Sequence, residues 1–250
     1  IRDQPRSRGL GDVYKRQTGK LISKTDTAME IKGYGQVAID EAMKIYATYD
    51  GIREVSMDAL MLENMEITFV VAEKQICAIL LTEPAKIENI RVLLLDNDNM
   101  FRSDVSLVSD VPVHLYYGET ETVLEAGNVI TASSYANILT TSSVSLVAED
   151  GTSPFYFTDN QGNRISPAYA GSMELRMYPE GYTVVNVVDL ESYVKGVIPS
   201  EVPSSYGMEA LKAQAVCARS YSLQQMAGKR MAEYGAHVDD TVAFQVYGTQ

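Results

Sequence analysis

A chain of 250 residues is long enough for one large domain or two smaller ones with a real core, and a hydrophobic share of 46% with 22% charged residues excludes a disordered, fibrous or disulfide-stapled chain. The formal charge of −12, from 33 acidic against 21 basic residues, argues against nucleic acid or an anionic membrane face as a partner. The longest apolar runs, such as Ile76 to Leu81 and Val92 to Leu95, fall short of the roughly 20 residues of a membrane span.

The first 17 residues stand apart. They hold Arg2, Arg6, Arg8, Lys15 and Arg16 against only Asp3 and Asp12, show no apolar periodicity and lack an initiating methionine. Gly9 to Gln17, GLGDVYKRQ, resembles translated sequencing-adapter sequence. Residues 1–17 are therefore set aside as an assembly-derived segment, with a signal or anchor expected to be missing ahead of the chain.

From Met29 to Leu81 the pattern is one of short strands and turns. ITFVVA at Ile67 to Ala72, a Glu73-Lys74 turn and QICAILLT at Gln75 to Thr82 read as a hairpin in a small β-rich module over residues 18–86. Thr82 to Lys86, with Pro84 among polar residues, reads as a linker. Further β-like runs follow: Ile90 to Leu95, Val113 to Gly118, Ser143 to Ala148, Met173 to Tyr178 and Tyr182 to Val188. Asp159 to Asn163 signals a turn, and Pro179-Glu180-Gly181 predicts a hairpin between the last two runs.

The character changes after Val188. Asp189 is placed to cap a helix from Leu190 to Val197, in which Leu190, Tyr193, Val194 and Val197 recur at helical spacing. Gly196 to Ser205, with Pro199 and Pro203, reads as a loop. A longer helix is predicted from Tyr206 to Met226, with Met208, Leu211, Ala215 and Ala218 as its apolar stripe and Gly228 as its stop. Strands first and helices late give an α+β class.

Few residues offer chemistry. Cys77 and Cys217 match no metal-binding spacing and read as two buried small hydrophobes. Only two histidines occur, and GxGxxG, GxxxxGK[ST] and HExxH are absent, which argues against nucleotide-dependent and zincin chemistry. Glu201 remains, pinned between Pro199 and Pro203 and flanked by apolar residues. Apolar surroundings would favour its protonated form and suit a general acid, whereas an exposed acid near a helix terminus is the plainer reading. Lys212 and Arg219, seven residues apart, fall on one face of the following helix, either as ligand contacts or as a solvated basic edge.

Val184 to Leu223 closely resembles the core of the stage II sporulation protein D family, the SpoIID/LytB domain. The pieces that carry the likeness are Tyr193-x-Lys195-Gly196-Val197, Pro199-Ser200-Glu201-Val202-Pro203, Glu209-Ala210-Leu211-Lys212-Ala213-Gln214-Ala215 and Ala218-Arg219-Ser220-Tyr221, in family order. Asp239-Asp240-Thr241 to Gln245-Val246-Tyr247-Gly248 looks like the next block. Residues 87–250 are thus read as a SpoIID/LytB domain that is incomplete at its C-terminus, since family domains continue to a Gly-His-Gly segment.

The resemblance implies a lytic transglycosylase that cuts peptide-stripped peptidoglycan between N-acetylmuramic acid and N-acetylglucosamine, leaving 1,6-anhydro ends. Glu201 then takes the place of the catalytic acid/base, with Lys212 and Arg219 in support and Tyr193, Ser200, Gln214, Tyr221 and Gln245 as glycan contacts. It also implies action outside the cytoplasm during forespore engulfment, with a wall amidase and membrane engulfment proteins as possible partners. Some members hold zinc through a histidine and nearby cysteines. Here Asp239 and Phe244 stand where those cysteines are expected, so no metal or other cofactor is expected, and His237 reads as a surface or cleft residue. The rival readings are a non-catalytic modifier of a wall amidase and a chain whose working part is the 18–86 module.

Overall fold

A computed structural model describes residues 15–248. Labelled in chain order, its first strands are β1 (Lys15–Lys24), β2 (Ala28–Ile31), β3 (Gly35–Ala47), β4 (Arg53–Val55), β5 (Glu66–Ala72) and β6 (Gln75–Leu81). Strand β1 pairs with β5 from Lys15 to Lys20 and with β2 from Leu21 to Lys24, with a bulge between Leu21 and Ser23 inside the second pairing. The order β5-β1-β2-β3 is that of a Greek key, and β6 closes the ring by pairing antiparallel with β5 and parallel with β3. A closed ring leaves little free edge. The β5–β6 hairpin expected from sequence turns at Glu73 and Lys74, both at positive φ, as two-residue hairpin loops require.

Residues Lys15 to Gln17, set aside with the head of the chain, are the opening of β1 and pair with Val71, Val70 and Phe69. The rest of that segment lies outside the described residues.

After Leu81 the chain passes to β7 (Asn89–Leu93), β8 (Ser106–Ser109), β9 (Val113–Tyr117), β10 (Thr120–Leu124), β11 (Ile130–Thr131), the short helix α1 (Ala136–Leu139), β12 (Val144–Ala148), β13 (Phe155–Thr158), β14 (Arg164–Tyr169), β15 (Ser172–Tyr178), β16 (Gly181–Asp189), α2 (Leu190–Glu201), α3 (Met208–Met226) and β17 (Val238–Asp239). The class is α+β, β-rich first and helical late. A seven-stranded sheet runs β10-β9-β12-β15-β16-β7-β17, and a smaller one runs β11-β8-β13-β14. None of the described helices is long and apolar enough to cross a membrane.

Side-chain alternation gives the large sheet two unlike faces. Met173, Leu175, Val184, Val188, Ile90 and Val92 point one way, into the hydrophobic cluster that also takes Tyr193, Val194 and Val197 of α2. Arg91, Glu174 and Arg176 point the other way, toward the barrel. There Arg91 pairs with Glu174 at 2.6 Å and with Glu63 at 3.6 Å, and Arg176 pairs with Glu174 at 2.8 Å and with Glu30 at 2.6 Å. All five side chains are buried. Burial alone would discharge Glu174, but the two guanidinium groups outweigh it and hold its pKa below the usual carboxylate range. Asn64 ties the connecting segment, accepting from the Glu88 and Asn89 amides and donating to the Asn89 carbonyl. Ala232, from the loop after α3, enters the barrel's own cluster, so the two cores meet through that loop.

Candidate active site

Helix α2 starts where expected. The Asp189 side chain accepts from the Ser192 amide at 2.9 Å, and Tyr193, Val194 and Val197 are its buried stripe. It does not end where expected. The segment read as a loop from Gly196 continues as helix through Pro199 to Glu201. Pro199 forgoes one i→i−4 hydrogen bond and crowds the carbonyl four residues back, both within the last turns of the helix, and Ser200 Oγ donates back to the Gly196 carbonyl at 3.0 Å.

Glu201 is therefore the last helical residue, with an exposed side chain. The apolar pocket expected from its neighbours is not formed: Glu201 lies one turn beyond the buried Val197, at the open end of the helix, where its side chain is exposed. Its Oε1 accepts from the Val246 backbone amide at 2.7 Å. Oε2 accepts no hydrogen bond from any described residue.

The other predicted residues sort into two groups. Tyr193 and Gln245 are buried, and their contact is internal. Tyr193 Oη donates to Gln245 Oε1 at 3.4 Å, an oxygen that also accepts from Ser222 Oγ at 3.2 Å. Burial, reinforced by Tyr247, Tyr221, Glu201 and Asp239, keeps the Tyr193 phenol protonated far above its ordinary range. These two residues thus lie beneath the carboxylate and not on a ligand surface. Gln214 and Tyr221 are half-buried on α3, the Tyr221 ring packing on the core.

Lys212 and Arg219 are on α3 but do not reach Glu201. Lys212 Nζ pairs with Glu209 at 2.9 Å, and Arg219 pairs with Glu191 at the opposite end of α2. The expected stripe of α3 holds in part: Ala218 is buried and Leu211 and Ala215 are partly buried, the stripe running on to Ser222 and Met226, while Met208 is 65% exposed. Gly207, at φ +85, stands just before the first turn, so the helix starts at Met208, two residues later than expected. Cys217 is exposed and Cys77 half-buried, both free thiols, so neither is the fully buried hydrophobe expected.

His237 is buried and not a cleft residue. Its Nδ1 accepts from the Arg91 amide at 3.1 Å, and burial, with Arg91 nearby, pushes its pKa down to about 3. The residues that sequence reading did not assign are those behind the carboxylate: Gly196, Asn186 and the backbone of Val246. The Gln-Val-Tyr-Gly string was visible as a block, but nothing in it says that an amide of the string meets Glu201.

The family model "Stage II sporulation protein" matches residues 178–250, which include Glu201, α3 and the Val246 amide. This part of the chain is similar to the SpoIID family. Stage II sporulation protein D of Bacillus subtilis is 40% identical over 90 residues, 32% of this chain and 26% of that protein. An amidase enhancer of Bacillus subtilis is 53% identical over 55 residues, 22% of this chain and 7% of its own length. An uncharacterised protein of Brachyspira hyodysenteriae is 43% identical over 79 residues, 32% of this chain and 21% of its own. The chain thus spans about a quarter or less of each of these relatives. No solved structure matches it.

Proposed function

We propose that the SpoIID segment places Glu201 as the single acid/base of a peptidoglycan lytic transglycosylase acting on peptide-stripped glycan outside the cytoplasm during sporulation. The observation that supports this reading is the exposed Glu201 carboxylate at the end of α2, one oxygen held by the Val246 amide and the other accepting no hydrogen bond from any described residue. Oε2, protonated, gives its proton to the glycosidic oxygen between N-acetylmuramic acid and N-acetylglucosamine as the C1–O bond breaks. The muramyl 6-hydroxyl then adds to C1, and the carboxylate takes up the proton it releases. One group serves both steps, so the second carboxylate of an ordinary glycosidase is not required. Lys212 and Arg219 are proposed as glycan contacts that exchange their present partners for substrate.

The test is mass spectrometry of fragments released from amidase-treated peptidoglycan by the protein and by Glu201→Gln. Products ending in 1,6-anhydro-muramic acid, lost by roughly 10²–10⁴-fold in the variant, are expected. Reducing-end products would indicate hydrolysis instead.

A second reading rests on the 53% identity with the amidase enhancer: the segment binds glycan or a wall amidase without cutting. Undiminished stimulation of an amidase by Glu201→Gln, with no glycan fragments from either form, would select it. Membrane engulfment proteins remain further proposed partners under the first reading.

A further inference from the structure

The face of the large sheet beneath α2 is apolar except for Asn186. This residue is fully buried, and all its polar capacity is used: Nδ2 donates to the carbonyls of Ala170 at 2.8 Å and Ser172 at 3.2 Å, while Oδ1 accepts from Tyr247 Oη at 2.8 Å. An amide placed among hydrocarbon is tolerated only when so satisfied. Tyr247 is buried as well, and burial holds its phenol above the ordinary range, so it remains a donor. Its ring lies 4.9 Å from that of Tyr193 and directly over Gly196, where a Cβ would stand 2.7 Å from Tyr247 Cε2. Gly196 is the notch in α2 that lets the ring in. The residue before Tyr247 is Val246, whose amide meets Glu201, and the residue before that is Gln245, fixed by Tyr193 and Ser222.

Val246 is thus held from both sides. Gln245 fixes it against α3 and Tyr193, and Tyr247 fixes it against Gly196 and Asn186. We infer that Asn186 and Tyr247 are positioning residues for Glu201, setting the direction of its carboxylate through the Val246 amide. The inference rests on the catalytic reading of Glu201 for its kinetic consequence, but not for its structural one. A buried tyrosine with a single hydrogen bond to a buried asparagine aims the backbone more closely than packing alone, because both partners are fixed by other contacts. A displacement of about 1 Å at a reacting group is enough to cost up to ~10²-fold in rate.

Tyr247→Phe removes the hydroxyl and keeps the ring; Gly196→Ala keeps the hydroxyl and pushes the ring. Two readouts separate the possibilities. In ¹⁵N-labelled protein, the Val246 amide proton shift followed from pH 3 to pH 8 reports ionisation of the carboxylate it touches, whatever the enzyme does. In the parent this amide is expected to titrate with a large amplitude that falls by at least half in both variants while their folds, checked by the remaining amide peaks, persist. In the cleavage assay, kcat is expected to fall about tenfold with KM unchanged. A full Val246 amplitude in both variants would overturn the inference. So would an unchanged kcat in variants whose amplitude has dropped. If the parent cuts no glycan, the amplitudes alone decide the positioning claim, and it is the catalytic reading that fails.

Discussion

Arg219 grips Glu191 with two nitrogens, Nε to Oε1 at 2.6 Å and Nη2 to Oε2 at 2.5 Å. Glu191 stands in the first turn of α2 and Glu201 in the last, ten residues on, which at about 1.5 Å per residue is roughly 15 Å along the axis. Arg219 is therefore anchored at the end of the helix away from the candidate acid. Glu191 is exposed and Arg219 partly so, and pairs this open to water contribute little to stability and are screened by salt.

Arg219→Ala is accordingly expected to leave the urea midpoint unmoved. If glycan release nevertheless drops with a raised KM, Arg219 leaves Glu191 to touch the glycan. Unaltered kinetics would remove it from the site.

The charges between sheet and barrel behave differently because they are dry. Arg176→Met would bury the Glu30 and Glu174 carboxylates with one partner fewer, and losing one member of a buried ion network costs on the order of 3–5 kcal/mol. Urea unfolding at pH 7 should show that loss. A change below about 1 kcal/mol would mean that water reaches these groups.

Acid should weaken the protein through His237. Its pKa falls from about 6.5 unfolded to about 3 folded, so the folded state binds fewer protons between those values. Its contribution is intact above pH 6.5 and is lost as pH falls toward 3, by about 1.4 kcal/mol per pH unit at most. Between pH 6.5 and 5 this amounts to roughly 2 kcal/mol. His237→Asn, which cannot titrate, should flatten that part of the stability curve.

Asp240 works in the opposite direction. Burial raises its pKa to about 6, against the pull of the Leu95 amide that its Oδ1 accepts at 3.1 Å. The folded state here binds more protons than the unfolded one between about 3.8 and 6, a contribution complete below that window and lost as pH rises through it. Asp240→Asn should therefore stabilise by roughly 1–2 kcal/mol at pH 7 and by nothing at pH 4. Equal effects at both pH values would contradict a raised pKa.

What was legible in the sequence is local. The β5–β6 and β15–β16 hairpins could be read because alternating apolar residues flank short turns, and the start of α2 because Asp189 precedes a helical stripe. Pro199 reads as a breaker, yet the helix runs two residues past it, to Glu201, before it stops. The face of α3 was legible from Leu211 to Ala218 but its start was not, since Gly207 leaves Met208 exposed in the first turn. Closure of the barrel was not legible, since it joins residues far apart in the chain: Ala38 of β3 pairs with Gln75 of β6.

The candidate site follows the same division. Glu201 stood out by its motif, yet the donor that holds it is a backbone group 45 residues away, which no side-chain pattern can announce. His237 and Arg91 are 146 residues apart and meet only because β17 adds to the sheet beside β7.

The carboxylates of Glu30 and Glu63 make the barrel and the sheet chemically dependent on one another. A barrel of the same shape transplanted from elsewhere would seal Arg91 and Arg176 away from water with only Glu174 between them, unless it carried acids at those two places. Exchange of the N-terminal module between proteins is thus restricted by two glutamates more tightly than by the fit of its strands.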